Sequence, residues 1–250
     1  MALKITDFFN FIKIDEQTHK YYYNDTDNLS KIFFRSSVTQ EVSKYHEKFD
    51  SNKIAKKTSE KYNIPLYEVL QSWRDKANDG KNIHLLIESY FNENIVIPDN
   101  IGIKENIKNL INVFIHKFKN ESGYEMIETE LKVGDKELKI AGTVDAVVKN
   151  RFNEYELWDW KTSGKIHKKA FNNKKMFYPF NDLPDCNYIH YCLQLSFYKF
   201  IIERNSDIKI SKLRIVHFDC IDNNSDNNNY MNLYKFHNAI DFSNILHKIK

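Results

Sequence analysis

The chain has 250 residues, of which 42% are apolar and 28% are charged. This length is enough to bury a core, which excludes disorder over the whole chain, and no apolar stretch approaches the roughly 20 residues of a membrane span or forms a secretory signal. The 37 basic and 34 acidic residues give a net charge of +3, which is too small to identify a strongly basic nucleic-acid-binding protein.

The first part of the chain, residues 1–64, is predicted to form a pair of extended segments followed by helices. Hydroxyl side chains that would act as N-caps stand just before a helical pattern: Ser36, Ser37 and Thr39. A longer helical pattern begins near Pro65, with Gly80 as an expected break, and another helix is predicted at residues 103–119.

In the middle of the chain the apolar pattern changes from helical to strand-like. Three segments separated by short turns predict three adjacent antiparallel strands. These strands cover residues 125–133, 137–150 and 155–162. The first turn is predicted at Gly134 and Asp135. After a lysine-rich loop, a helix is predicted at residues 187–203 and a strand at residues 213–220.

This order of helices and strands predicts a single domain of mixed α/β class, with a mixed central sheet flanked by helices. No linker rich in proline, glycine or serine divides it. Residues 1–64 would be an N-terminal elaboration, residues 65–220 the core, and residues 221–250 a C-terminal strand and helix. The asparagine-rich run at residues 221–230 is predicted to be a surface loop.

The cysteines Cys186, Cys192 and Cys220 are odd in number and have no CxxC spacing. They therefore predict neither a disulfide scaffold nor a structural zinc or iron–sulfur site. Cys192 lies in an apolar helical pattern and is expected in the core. We expect a reducing compartment, cytoplasmic or equivalent, which is also compatible with a virus- or phage-encoded protein.

Two acidic residues and a lysine on neighbouring predicted strands form the sharpest candidate site. Asp159 and Lys161 flank Trp160, and because side chains alternate along a strand they share one face. A short turn brings the strand of Asp145 alongside. Two close carboxylates repel each other unless a cation lies between them, and hard oxygen ligands suit Mg²⁺ or Mn²⁺. The alternative is a salt bridge on an exposed sheet face, but the neighbouring tryptophans favour a buried site.

These residues resemble a known family. The sequences GTVD, which ends at Asp145, and DWKT, which begins at Asp159, look like the active-site signature of the PD-(D/E)XK nuclease superfamily in its RecB-like exonuclease branch. Two further patterns of that branch occur in the expected order, one ahead of the predicted sheet and one on the helix behind it. Their residues are Trp73, Gly80, His84 and Glu88, and then Gln194 and Tyr198.

The resemblance implies a restriction-endonuclease-like core that uses Mg²⁺ or Mn²⁺. The implied metal ligands are His84, Glu88, Asp145, Asp159 and the backbone carbonyl of Trp160. Lys161 would orient the attacking hydroxide and stabilise the developing phosphorane charge. Gln194 and Tyr198 would hold the active-site lysine or the DNA backbone, and Thr162 would contact a phosphate.

Some of these residues also have an interpretation of their own. His84 and Glu88 are four residues apart, so they lie on one face of a helix and can reach the same ion. Without the resemblance, a partly buried histidine and a solvated acid would be the simpler interpretation. Glu128 or Glu130 on the first predicted strand could point at the site, but their alternation with apolar neighbours does not decide this, and we expect both to face solvent.

The loop at residues 164–180 mixes lysines with aromatic residues. Lys165 and Lys168 would follow phosphates, and aromatic side chains that stack on unpaired bases contribute about 1 to 3 kcal/mol per base. Only five of the 37 basic residues are arginine, which favours contact with the DNA backbone over reading of base edges. The alternatives are an ordinary solvated loop and a lysine-rich composition that reflects AT-rich codons.

Together these features predict a divalent-metal-dependent DNA exonuclease that acts on single strands or free ends in replication, recombination or repair. The alternatives are a structure- or sequence-specific endonuclease of the same superfamily and a non-catalytic DNA-binding subunit. Three cysteines are fewer than the four that the iron–sulfur members need, which favours the cluster-free exonucleases. The sequence has no Walker A motif, so no nucleotide cofactor is expected. No membrane partner is expected, and the oligomeric state is left open.

Overall fold

The computed structural model describes residues 4–27, 29–92, 94–97, 101–120, 123–162, 164–218 and 234–247. The α-helices are α1 (Ile5–Phe9), α2 (Val38–Val42), α3 (Ser51–Tyr62), α4 (Leu66–Phe91), α5 (Glu105–Asn120), α6 (Asn187–Asn205) and α7 (Ser243–Leu246). The strands are β1 (Lys13–Asp15), β2 (Lys20–Asn24), β3 (Lys31–Phe33), β4 (Ser36–Ser37), β5 (Glu125–Asp135), β6 (Ile140–Lys149), β7 (Tyr155–Lys161), β8 (Ile210–Phe218) and β9 (Tyr234–Asn238). Over these described ranges, no helix combines the length and the apolar character needed to cross a bilayer.

The strands form a small antiparallel sheet and a larger mixed sheet. The small sheet has the order β1-β2-β3, and the larger one has the order β4-β6-β7-β8-β9 with β5 also paired to β6. β5, β6 and β7 are antiparallel neighbours, as predicted, whereas β7 and β8 are parallel and are connected through α6. The fold is therefore of mixed α/β class with helices flanking a mixed sheet, which confirms the predicted fold class.

Each face of the larger sheet has its own core. One core holds α6 together with Leu157 of β7, and the other holds α5 and part of α4 together with Trp158 and Trp160. Because side chains alternate along β7, Asp159 and Lys161 share the face of Leu157 and point toward α6. The two tryptophan side chains are thus structural, and they close the opposite face of the strand that carries the candidate residues.

A capping box starts α2 directly after β4. The hydroxyl of Ser37 accepts a hydrogen bond from the backbone amide of Gln40. The side-chain oxygen of Gln40 accepts one from the backbone amide of Ser37. Two amides are satisfied in this way, which confirms Ser37 as an N-cap. Ser36 and Thr39 are not N-caps, because Ser36 lies in β4 and Thr39 lies within α2.

The predicted helix break at Gly80 is wrong. α4 runs without interruption from Leu66 to Phe91. A Cβ atom at position 80 would lie 2.7 Å from Oγ1 of Thr162, which follows β7. Glycine at this position therefore allows the helix and the end of the strand to approach each other closely.

The predicted turn at Gly134 and Asp135 is also wrong. Both residues continue β5, and the turn follows at residues 136–139. The buried Asp135 carboxylate accepts the amide of Leu138 and a hydrogen bond from Nε of Arg204. This acid therefore closes the turn from inside the strand, and the sequence pattern alone gives no sign of its partner in α6.

The structure describes two of the three cysteines. Cys186 and Cys192 are buried and unpaired, and burial raises the pKa of the Cys192 thiol to about 11. The prediction that Cys192 is a core residue is confirmed. Cys220 and the asparagine-rich run at residues 221–230 lie outside the described residues.

Candidate metal centre and active site

The candidate site lies where β6 and β7 separate. The two strands pair only from Ala146 to Lys149 and from Tyr155 to Trp158, whereas β7 continues beside β8 as far as Lys161. The Asp145 carboxylate, at the start of this gap, accepts the backbone amide of Trp160 through Oδ2 at 2.8 Å. Because β6 no longer pairs with β7 at this point, the amide has no backbone acceptor on β6. Its hydrogen bond to the carboxylate therefore positions the Asp145 side chain.

Three side chains from three different elements converge at this gap. Nδ1 of His84 on α4 lies 3.4 Å from Oε1 of Glu130 on β5 and 3.8 Å from Oδ1 of Asp145 on β6. One ligand atom from each of the three residues lies within 4.8 Å of the others. An imidazole with two carboxylates is a donor set that a divalent cation such as Mn²⁺ accepts.

Glu130 is the residue of this group that the sequence analysis did not assign to the site. It was expected to face solvent, but its side chain is only 29% exposed and contacts His84. Its backbone has a φ of 52°, in the left-handed region, and a register shift of β5 against β6 lies between Met126 and Glu128. Alternation still holds around it, since Thr129, Leu131 and Val133 are buried and Glu130 lies on the opposite face. The sequence does not show that α4 covers this opposite face and brings His84 to Glu130.

The electrostatics of His84 reflect its acidic neighbours. Burial by itself lowers the pKa of an imidazole, but the charge of Asp145 and the hydrogen bond to Glu130 outweigh that effect and raise the pKa of His84 above its ordinary value. The site therefore favours a positive charge between the carboxylates, which is the condition that a bound cation would also satisfy.

Asp159 and Lys161 form a buried ion pair beside this cluster. Nζ of Lys161 donates a hydrogen bond to Oδ1 of Asp159 at 2.7 Å and lies 2.6 Å from Oδ2, so both carboxylate oxygens are close to the ammonium. The ammonium also lies 4.8 Å from the ring centre of Tyr191 on α6. The pair confirms that the two side chains share one face of β7.

Burial and charge act in opposite directions on this pair. Burial raises the pKa of Asp159 to about 7 against the opposing effect of Lys161, with Asp145 adding to the rise. Burial alone would lower the pKa of Lys161, but Asp159 and Asp145 outweigh it and raise that pKa. The lysine is therefore held as an ammonium next to two carboxyl groups.

Glu88 lies one helical turn beyond His84, outside the group of three. Burial and the charge of Glu130 raise the pKa of Glu88, while Lys132 and His84 oppose this rise. Glu88 thus interacts with Glu130 through its charge, and its role as a ligand stays a prediction. The same holds for the carbonyl of Trp160.

Gln194 and Tyr198 lie behind the carboxylates on α6. Nε2 of Gln194 donates a hydrogen bond to the Tyr198 hydroxyl at 3.3 Å. Burial raises the pKa of Tyr198 well above its ordinary value, and Asp145 and Asp159 act in the same direction. Because Tyr198 is only 3% exposed, it supports the site from the interior and does not line its open side.

The open side is a cleft of about 450 Å³ that reaches the ion pair and His84. Its lining residues are Lys76, Ala77, His84, Trp160, Lys161, Thr162, Gly164 and Tyr191. A neighbouring cleft of about 500 Å³ runs along the first half of α4 and shares Lys76 and Thr162 with it. Lys76 was not among the predicted contacts, since a lysine on a helix gives no signal of its own.

The predicted contacts in the following loop have different surroundings. Thr162 lines both clefts, as its predicted role requires. Lys165 is exposed, and Nζ of Lys168 lies 4.9 Å from the ring centre of Tyr188. The loop also carries exposed aromatic side chains, of which Phe171 and Tyr178 are the most accessible. Contact between these residues and a nucleic acid stays a prediction.

A scan against protein-family models and a search of curated proteins found no match for this chain.

Proposed function

We propose that the chain is a divalent-metal-dependent nuclease that hydrolyses phosphodiester bonds in DNA, as an exonuclease on single strands or free ends. One observation carries the proposal: His84, Glu130 and Asp145 converge beside the buried Asp159–Lys161 pair, and His84 and Lys161 line an open cleft. The sequence resemblance to PD-(D/E)XK nucleases supports the same assignment, because Asp145, Asp159 and Lys161 are the residues of its signature.

The donor set fits Mg²⁺ or Mn²⁺. His84, Glu130 and Asp145 would hold the ion, and the imidazole favours Mn²⁺ over Mg²⁺. Asp159 would be the further oxygen ligand that the resemblance implies, and its Oδ2 lies 2.6 Å from Nζ of Lys161. When bound, such an ion polarises the phosphodiester and lowers the pKa of a water molecule.

The residues of the chain have separate tasks around the scissile phosphate. Lys161 stays protonated because two carboxyl groups surround it, and its ammonium donates to the phosphate oxygens as negative charge develops. Asp159 orients this ammonium through their hydrogen bond. The amide of Trp160 holds Oδ2 of Asp145 and leaves Oδ1 directed toward His84.

The cleft supports a single strand as the substrate. Lys76 and Thr162 line it beside Lys161 and offer a cation and a hydroxyl to the phosphates. The exposed rings of Phe171 and Tyr178 on the loop after β7 offer surfaces for unpaired bases. The bases of a duplex are paired and stacked, so they cannot stack on these rings. A single strand or a frayed duplex end is therefore the better substrate for this surface.

A cleavage assay tests the proposal. The chain is incubated with end-labelled single-stranded DNA, duplex DNA, closed circular DNA and RNA, with Mg²⁺, Mn²⁺ or EDTA. We expect metal-dependent shortening of linear single strands, and a loss of at least about a hundredfold in Lys161→Ala, since one charge-stabilising donor is worth about that much. Lys212→Ala, which removes an exposed lysine on β8, is the matched control and should retain activity.

The other outcomes are equally informative. Cleavage of closed circles would make the chain an endonuclease, and a preference for RNA would change the substrate class. Binding of DNA without any metal-dependent cleavage would support a DNA-binding subunit and overturn the nuclease proposal. Activity that persists in Lys161→Ala would contradict the assigned site.

A further inference from the structure

A stripe of lysines runs along the outer side of α3. Lys53, Lys57 and Lys61 follow one another at four-residue steps, so they lie on one side of the helix, about 6 Å apart along its axis. All three are exposed. The buried residue of this helix, Ala55, lies on the opposite side. The candidate nuclease site uses none of the three lysines.

The charge of α3 is strongly one-sided. The helix has four lysines, since Lys56 lies beside the stripe, against the single acid Glu60. None of the four forms an ion pair within the described part of the chain. Unpaired ammonium groups in a regular row attract a polyanion, and their step is close to the spacing of successive phosphates in an extended single strand.

An aromatic pair lies at the end of the stripe nearest the candidate site. The ring centres of Phe49, just before α3, and Trp73 on α4 lie 6.1 Å apart. Trp73 precedes Ala77 by four residues, so both lie on the same side of α4, and Ala77 lines the cleft of His84 and Lys161. Because Phe49 is 70% exposed, the pair presents an accessible ring one helical turn from this cleft.

The stripe leads away from the cleft. Only residues 63–65 connect α3 to α4, so the two helices are antiparallel neighbours, and the contact of Phe49 with Trp73 puts the start of α3 nearest the cleft. Along α4, Trp73 lies about 16 Å and Leu66 about 27 Å from His84. A strand must therefore be several nucleotides long to reach from the candidate site over the stripe.

We infer that Phe49, Trp73 and the lysine stripe bind the part of a single DNA strand that extends beyond the cleft. The inference rests on the proposed nuclease function for the identity of the strand. The exposed ring stacks on an unpaired base where the strand leaves the cleft, and the ammonium groups of the stripe hold the phosphates that follow. The length of strand needed for full affinity is then set by α3, at a distance from the Asp159–Lys161 pair.

Binding in EDTA, where no strand is cleaved, tests this inference separately from the nuclease activity. Fluorescence anisotropy is measured with labelled single strands of about 4 to 16 nucleotides. In the unchanged chain the affinity should rise with length until the stripe is covered. Replacing Lys53, Lys57 and Lys61 together by glutamine gives the stripe variant, in which helix formers without charge occupy the three positions.

The stripe variant should bind the longest strand at least about tenfold more weakly, with a much smaller loss for the shortest strand. The slope of log K against log salt should also fall by about 2, because each phosphate contact of a single strand contributes about 0.7. Phe49→Ala should lower the affinity for the longest strand at least about fivefold, whereas Phe49→Tyr, which keeps a ring, should retain it.

The matched control replaces three exposed lysines of β1, β2 and β8 by glutamine, namely Lys13, Lys20 and Lys212. It changes the net charge by the same amount as the stripe variant and should bind every strand as the unchanged chain does. Equal affinities of the stripe variant and this control for the longest strand would overturn the inference, whatever the cleavage assay gives.

Two further outcomes would also overturn it. An equal loss at every strand length would mean that the lysines act at the cleft itself. Lost binding to phosphatidylserine vesicles, with unchanged binding of DNA, would make a membrane surface the partner of the stripe. A chain that binds strands in the expected length-dependent way but cleaves none would instead support the inference and contradict the nuclease proposal, so the two can fail separately.

Discussion

The backbone amide of Trp160 donates a hydrogen bond to Oδ2 of Asp145 across the gap between β6 and β7. A carboxylate held through one oxygen directs its other oxygen, and Oδ1 accordingly lies 3.8 Å from Nδ1 of His84. The divergence of two antiparallel strands thus aims an acid at a histidine from another element. The orientation of this acid depends on the backbone, so it would survive changes to the Trp160 side chain that preserve the strand.

The first prediction concerns which acid completes the group. Glu130→Gln should weaken Mn²⁺ binding by at least about tenfold, because it removes one of the three converging donors and the charge that faces His84. Glu88→Gln should have a smaller effect, since Glu88 lies outside the group of three donors. Titration calorimetry with Mn²⁺ measures both.

Glu128→Gln is the matched control, because Glu128 lies on the same strand outside the group of three. A larger loss of Mn²⁺ affinity in Glu88→Gln than in Glu130→Gln would show that Glu88 is the ligand, as the resemblance implies.

The second prediction concerns pH. Burial raises the pKa of Asp159 to about 7, and Asp145 and Glu130 raise that of His84 against the effect of its burial. Below about pH 7 Asp159 carries a proton that a bound cation must displace, and the raised pKa of His84 extends the pH range in which its ring is also protonated. The rise in the unfolding midpoint caused by Mn²⁺ should therefore be small near pH 5.5, grow through about pH 7 and level off near pH 8. Thermal unfolding with and without Mn²⁺ measures this, and an equal rise at every pH would contradict it.

Part of the site could be predicted from the sequence because it follows from regular strand geometry. Asp159 and Lys161 share a face since side chains alternate, and the ion pair lies where this rule puts it. Asp145 could be placed beside them because a short turn connects β6 and β7. These are local relations, and they need no knowledge of the rest of the fold.

The remainder depends on contacts between distant segments. Glu130 lies on the face of β5 that alternation assigns to it, but only the packing of α4 brings His84 to this face. Lys76 lines the cleft one helical turn before Gly80, where α4 closely approaches Thr162, and a glycine in a helical pattern predicts a break more readily than a close approach.

The third prediction concerns a buried pair away from the site. Glu156 is fully buried, and Nε of Arg214 donates to its Oε2 at 2.5 Å. Arg214→Ala should lower the free energy of unfolding by about 3 to 5 kcal/mol, because it leaves a buried carboxylate without its cation. A second change, Glu156→Gln, should recover part of this loss. Urea unfolding measures each value, and Arg151→Ala, at an exposed position, should change it by less than about 0.5 kcal/mol.

The fourth prediction concerns Gly80 and Thr162. Alanine is favoured over glycine inside a helix by about 1 kcal/mol, yet a Cβ at position 80 would lie 2.7 Å from Oγ1 of Thr162. Gly80→Ala should therefore destabilise the chain, whereas in a Thr162→Ala background, which removes that oxygen, the same change should stabilise it. Gly102→Ala, where a Cβ meets nothing within 4 Å, is the control for the loss of a glycine.

His84 follows Gly80 by one helical turn, so a displaced α4 also moves a candidate ligand. Mn²⁺ affinity should accordingly fall in Gly80→Ala and recover in the double variant, in parallel with the free energy of unfolding. A double-mutant cycle on both quantities isolates the coupling between the two positions. Stabilisation by Gly80→Ala in both backgrounds, with unchanged Mn²⁺ affinity, would mean that the helix and the strand end can separate freely, and the close approach would then not position His84.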